Sequence, residues 1–284
     1  MAKAIVPIIT PFDKNNKIDL NKLKEHANFL IKKKIDYIML AGSTGLGPSL
    51  SLKEKMSMVD SLEYIKDKII MQVSSLNFDE VVQLAEYCKN KGIYSIASLP
   101  PYYYPRLLDE WYIDFYVRIS KIYRTIIYNF PLTTNYNIQP YIVKSIIKNG
   151  GEIVGIKDTL PDINHMLMLK YEFENNLQIY SGPDSLLMPA IRCGLDGGVV
   201  GSGNYLPDYI VSIINNPSSR ESYNKQKILT KVTQIVQKYG QWAANYKMVK
   251  IINKYEVGIP RYPIPELTTV QTHNLEKEVN SILG

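Results

Sequence analysis

Eight short apolar runs recur along the chain, and each is followed by a stretch whose apolar positions repeat with a helical period. The runs are Ala4–Ile9, Tyr37–Ala41, Ile69–Val73, Ser95–Leu99, Thr125–Asn129, Ile153–Lys157, Gln178–Ser181 and Gly198–Gly201. Most are apolar at consecutive positions and not at every second one, the pattern of parallel strands covered on both faces. Between them, Leu20–Lys34 gathers Leu23, Ala27, Leu30 and Ile31 on one face and its lysines on the other. Ser51 with Glu54 three residues later reads as a capping box that opens a second helix. Phe78–Asn90 aligns Val81, Leu84, Ala85 and Cys88, and Gly92 ends it. Glu110–Ile122, Pro140–Lys148, Asp162–Phe173, Asp184–Cys193 and Pro207–Asn215 continue the series, with Asp184 and Pro207 where helix-start signals belong. Eight strand-then-helix units in about 215 residues predict a (β/α)8 TIM barrel over 1–216, in preference to an open doubly wound sheet. Beyond it, 217–284 reads as a C-terminal helical extension, with helices over Glu221–Tyr239 and Gln241–Tyr255 followed by the proline-rich turn GIPRYPIP.

Composition narrows the class without altering this picture. The 284 residues are 45% hydrophobic and 21% charged, with 16 Gly and 16 Pro, which excludes disordered and collagen-like chains. No apolar run approaches the roughly 20 residues of a membrane span, and the proline-containing start reads as a first strand and not as a signal peptide. The formal charge of +6 is dispersed, which argues against a nucleic-acid partner. Cys88 and Cys193 stand far apart without metal spacing and are expected to be buried thiols of a cytoplasmic protein.

In such barrels the chemistry gathers at the carboxyl ends of the strands. The second strand ends in Gly42-Ser43-Thr44-Gly45-Leu46-Gly47-Pro48-Ser49, a turn whose amides and hydroxyls suit a small carboxylate. It has neither the G-x-G-x-x-G spacing of a dinucleotide site nor the Gly-Lys-Ser/Thr of a P-loop. Taken alone it is equally a structural turn. The sixth strand ends in Gly155-Ile156-Lys157-Asp158-Thr159. A lysine there either faces the barrel mouth, where desolvation disfavours an ammonium and frees an amine for Schiff-base chemistry, or reaches solvent. Tyr128, ending the fifth strand, is a proton relay or a packing residue. The stiff Pro100–Arg106 loop, PPYYYPR, does not read as core. His26, His165 and His273 show no metal-ligand spacing and are expected to be structural or exposed. No metal or cofactor has an evident seat.

Taken in order, PIITPF, GSTG, YNFP, GIKDT and YSGPD resemble the dihydrodipicolinate synthase / N-acetylneuraminate lyase family of pyruvate-handling class I aldolases, over the whole chain. Within it, GSTGLGPSLS, PPYYYPR and GSGNYLP look most like the archaeal 2-keto-3-deoxygluconate aldolases. The resemblance implies catalysis by Lys157, Tyr128 and Thr44: Lys157 would form the Schiff base with pyruvate and Tyr128 would shuttle the proton. Ser43 and Thr44 would hold the pyruvate carboxylate, and Tyr103 would reach in from a neighbouring subunit of a homotetramer. Arg106, Phe130, Thr133, Gly182 and Asp184 complete the implied substrate-binding set. The family needs no metal and no organic cofactor. The implied partners are a 2-keto-3-deoxy sugar acid, pyruvate and glyceraldehyde, with no nucleic acid and no membrane.

Departures from the family pattern choose among its members. Dihydrodipicolinate synthases usually carry an arginine where Thr133 stands, and they and the neuraminate lyases usually carry glutamate where Leu46 stands. Archaeal relatives that also cleave the 6-phosphate have tyrosine at the place of Phe130, with an arginine and a serine near Gln237–Ala243. Here Gln237 occupies the arginine position, and Arg106 alone survives of that set. The expectation is an aldolase for 2-keto-3-deoxygluconate, or its galactonate counterpart, that prefers the non-phosphorylated acid. The alternatives are dihydrodipicolinate synthase, another pyruvate-dependent lyase of the family, and a catalytically silent pyruvate-binding regulator.

Overall fold

A computed structural model describes residues 1–104, 107–174 and 176–284. Its eight strands are β1 (Lys3–Pro7), β2 (Tyr37–Leu40), β3 (Ile69–Gln72), β4 (Ser95–Ser98), β5 (Thr125–Asn129), β6 (Ile153–Asp158), β7 (Gln178–Ser181) and β8 (Gly197–Val199). All neighbours pair in parallel, and β8 returns to β1 to close the expected barrel. Closure sets Lys3 against Gly197, where a Cβ on Gly197 would lie 2.2 Å from the Lys3 carbonyl oxygen. Only glycine lets the last strand approach the first so closely.

The helices are α1 (Leu20–Lys32), α2 (Leu52–Ser61), α3 (Phe78–Lys91), α4 (Asp109–Ile122), the short α5 (Pro131–Thr134), α6 (Pro140–Lys148), α7 (Ile163–Phe173), α8 (Leu187–Arg192) and α9 (Pro207–Asn215). The stripe of α3 is buried as its period requires, and Gly92 closes that helix in the left-handed conformation. Helix α2 begins with the reciprocal Ser51–Glu54 bonds of a capping box. Inside the barrel, Ile5, Met39, Ile70, Ala97, Ile126, Tyr180 and Val199 pack as one cluster. Their outward neighbours join the larger core beneath the helices.

Three helices follow, α10 (Arg220–Lys238), α11 (Gln241–Asn253) and α12 (Thr269–Leu283). The pattern showed the first two; α12 was missed, although Thr268 and Gln271 form its capping box. Two further expectations are corrected. Cys193 is exposed because it caps α8 on the outer surface; Cys88 is buried. The predicted Asp184–Cys193 helix starts with a tight turn over Asp184–Leu186, and the Asp184 carboxylate makes no cap; it turns to Ser202.

His26 is fully buried and ties this architecture to the barrel mouth. Asn204 donates to the carbonyls of Pro7 (3.0 Å) and Gly201 (2.8 Å), which fixes its Oδ1 as the acceptor facing Ile9 and His26. His26 therefore donates from Nε2 (2.9 Å) and accepts the Tyr255 hydroxyl at Nδ1 (2.6 Å), a neutral imidazole with both nitrogens satisfied. Burial pushes its pKa down from 6.5 to about 4. Between those values the unfolded chain binds a proton that the native one refuses. Stability is thus complete above pH 6.5 and falls as pH drops toward 4, by about 3 kcal/mol in all. Urea midpoints at pH 7.5 and 4.5 check this: His26→Gln is expected to remove that component of the acid sensitivity, and an identical pH slope in the variant would refute it.

Candidate active site

The carboxyl ends of the strands surround a cavity of about 130 Å³. Strand alternation sends Tyr128 and Lys157, paired across β5 and β6, into it. Both are nearly inaccessible to solvent, Lys157 at 3%. The lysine Nζ sits 3.8 Å from the centroid of the Tyr128 ring. The same ring stacks with Phe130 at 5.7 Å.

The Gly42–Ser49 turn forms the opposite wall. Its glycines are steric necessities: a Cβ on Gly47 would fall 1.8 Å from the Ala41 carbonyl oxygen. The turn closes through Gly45 and Gly47 amides onto the Gly42 carbonyl, both at 3.0 Å. The Thr10 hydroxyl bonds the Gly45 carbonyl from behind at 2.6 Å, and Tyr246 of α11 bonds the Thr10 carbonyl. Among the described residues the amides of Ser43 and Thr44 meet no acceptor, so both remain available to a ligand anion. Ser43 Oγ lies 3.2 Å from the Tyr128 hydroxyl, and Thr44 faces the cavity beside Gly201.

At the far wall the half-buried Asp184 accepts hydrogen bonds from the Ser202 amide (3.0 Å) and hydroxyl. Burial raises its pKa; the Ser202 bonds and the Lys157 charge oppose that rise. Gly182 supplies surface and no donor, because its amide already bonds the Asp158 carbonyl at 2.7 Å. A Cβ there would meet the Thr159 methyl at 2.2 Å, so Gly182 allows Thr159 into the lining.

Two candidates lie apart. Thr133 is exposed, donates to the Phe130 carbonyl and lines a neighbouring apolar pocket that meets the cavity at Ser43 and Trp242. Tyr103 is 78% exposed and lines none of the site in its own chain. Arg106 lies outside the described residues. Sequence reasoning missed Thr159 and Ser202. Thr159, two residues after Lys157, shares its strand face, and Ser202 follows β8, so both signals were present. Thr233 and Asn245 line the cavity from α10 and α11. Nothing in the pattern placed those helices over the mouth. Gln237, Gln241 and Trp242, singled out only through the resemblance, do line it. Among the described residues no group of three or more His, Cys, Asp and Glu is placed to hold a metal ion, and no helix is long and apolar enough to cross a membrane.

The dihydrodipicolinate synthetase family matches residues 1–282. The chain belongs to this family. The family expected from the sequence is therefore borne out. Among its relatives, the 2-dehydro-3-deoxy-phosphogluconate/2-dehydro-3-deoxy-6-phosphogalactonate aldolase of Sulfurisphaera tokodaii is 38% identical over 98% of this chain and 96% of that one. The 2-dehydro-3-deoxy-D-gluconate/2-dehydro-3-deoxy-phosphogluconate aldolase of Thermoproteus tenax is 33% identical over 92% and 85%. Among solved members of the family, the Sulfolobus 2-keto-3-deoxygluconate aldolase in complex with D-KDPG superposes with a TM-score of 0.94 at 37% identity, covering 99% of this chain and 96% of that chain.

Proposed function

We propose that this protein is a class I aldolase that reversibly cleaves 2-keto-3-deoxygluconate, and its galactonate counterpart, to pyruvate and glyceraldehyde. The observation that carries this reading is the buried Lys157 amine set against Tyr128, whose hydroxyl lies within hydrogen-bond distance of Ser43. In this reading the Lys157 amine attacks the C2 carbonyl, and loss of water leaves an imine. The protonated imine accepts the electron pair of the C3–C4 bond, which releases glyceraldehyde, and Tyr128 relays the proton of the C4 hydroxyl, taking it as its own proton passes to C3 of the enamine. The resulting enamine is protonated at C3 and hydrolysed to pyruvate and free Lys157. Ser43 and Thr44 hold the carboxylate through hydroxyls and amides, and Thr44 completes the catalytic set. No metal or organic cofactor enters these steps. Phe130, Thr133, Gly182, Asp184, Tyr103 and Arg106 form the remaining substrate-binding set, Tyr103 acting across subunits of a homotetramer. Its exposure in the single chain supports that placement. The free thiols Cys88 and Cys193 support a cytoplasmic location. Residues 1–216 form the catalytic barrel, and 217–284 the extension that caps it.

The non-phosphorylated acid is the preferred substrate. Beyond Lys157 the cavity opens toward a chamber of about 560 Å³, and the two share Thr233, Gln237 and Gln241. Among the described lining residues Lys157 is the one cation. A phosphate dianion gains most from charge-assisted arginine contacts, each about 1.5–3 kcal/mol. Pyruvate release from the free acid and its 6-phosphate, assayed side by side, is expected to favour the free acid. Phe130→Tyr with Gln237→Arg is expected to raise use of the phosphate ester by roughly 10- to 100-fold. A tenfold preference of the wild type for the ester, or no gain in the double variant, overturns this specificity.

A further inference from the structure

Directly behind Lys157 and Tyr128 lies a buried polar network that the proposed chemistry does not use. The register that pairs Tyr128 with Lys157 also pairs the next residues, Asn129 with Asp158. Alternation points this second pair out of the barrel, toward the helix layer. There the Asn129 amide donates to Asp158 Oδ1 at 2.9 Å and to Asn137 Oδ1 at 2.8 Å, and Asn129 Oδ1 accepts the Ile138 amide at 3.0 Å. Asp158 Oδ1 also accepts the Leu160 amide (3.0 Å), and Oδ2 accepts His165 Nδ1 (2.7 Å) from α7. Asn129 and Asp158 are inaccessible to solvent and His165 is nearly so. The network thus joins β5, β6 and α7 one residue beyond the reactive pair.

His165 is the informative member. Its Nε2 is buried with no hydrogen-bond partner among the described residues, a cost an apolar side chain of similar size would avoid. The Nδ1 bond to Asp158 is the contact that the histidine provides in exchange. We infer that His165 and Asp158 are positioning residues: they hold β6 against β5 and α7, so that the Lys157 amine and the Tyr128 hydroxyl address the same substrate in one fixed geometry. Neither side chain lines the cavity itself. This inference rests on the reading of Lys157 and Tyr128 given above. Imine formation needs Lys157 to reach C2, whereas cleavage needs Lys157 and Tyr128 placed together. A loosened register therefore harms cleavage more than imine formation, and displacements near 1 Å cost on the order of 100-fold in rate.

The test uses the full chain with pyruvate and borohydride, read as the mass increment on Lys157, beside kcat and KM for cleavage of 2-keto-3-deoxygluconate. His165→Ala is expected to lower kcat by roughly 30-fold or more with KM changed less than threefold and the trapped adduct retained. Added imidazole is expected to restore at least fivefold of the loss in His165→Ala and none of it in Asp158→Ala. Should His165→Ala not fold, His165→Gln takes the same measurements with the same expected split between kcat and trapping. A variant that traps pyruvate and cleaves at the wild-type rate overturns the positioning role alone. So does a parallel loss of trapping and kcat without imidazole rescue. Wild-type protein that forms no adduct overturns the reading of Lys157, and this inference with it.

Discussion

Lys157→Met is expected to abolish cleavage of 2-keto-3-deoxygluconate, with kcat falling by roughly 10⁴-fold or more, as deletion of a covalent nucleophile does elsewhere. Methionine nearly preserves the length of the side chain but removes the amine, so no imine forms and the C3–C4 electron pair has nowhere to go. The expected counterpart is an intact fold. A buried amine lying on an aromatic ring gives way to a thioether that packs on the same ring, and burying a thioether is far easier than burying an amine. Pyruvate release and borohydride trapping should disappear together while the thermal midpoint holds or rises. Cleavage within 100-fold of wild type would remove Lys157 from the mechanism.

Tyr128→Phe should separate the two halves of the reaction. The ring remains, so its contacts with Lys157 and Phe130 survive, and the Ser43 bond lost is worth about 1 kcal/mol. What disappears, on the proposed mechanism, is the relay for the C4 hydroxyl proton, a contribution on the order of 10²–10⁴ in kcat. The variant is expected to trap pyruvate as the wild type does and to cleave slowly, with KM little changed. A kcat within threefold of wild type would reduce Tyr128 to packing. Together the two substitutions assign bond formation to one strand end and proton transfer to its neighbour.

Strands β2 to β7 were legible because apolar runs buried on both faces leave a continuous trace. The barrel's seam was less so. β8 begins at Gly197, and a glycine chosen for its missing Cβ carries no hydropathic signal. β1 ends at Pro7, although Ile8 and Ile9 remain buried and extend the apolar run. In the site, Lys157, Tyr128 and the Ser43-Thr44 turn were visible as polar residues at the ends of apolar strands. From the pattern alone Asp184 was visible as a helix-start residue, and only the family resemblance put it in the site, since its partner Ser202 belongs to the turn after another strand. Helix α10 reads as an ordinary amphipathic stretch. That its Thr233 and Gln237 face the cavity depends on how the helix lies across the barrel, which no periodicity states.

The seam also orders events in time. A ribosome releases Lys3–Pro7 first, yet the strand that pairs with its open edge, Gly197–Val199, emerges only after the other six. The braces of the Gly42–Ser49 turn come later still: Tyr246 bonds the Thr10 carbonyl, and Ile259 pairs with Phe12. A nascent chain therefore carries Lys157 from just past the middle of its synthesis until near the end without a finished pocket around it. The mouth of the barrel is complete only when the late helices have folded back onto the segment that follows the first strand.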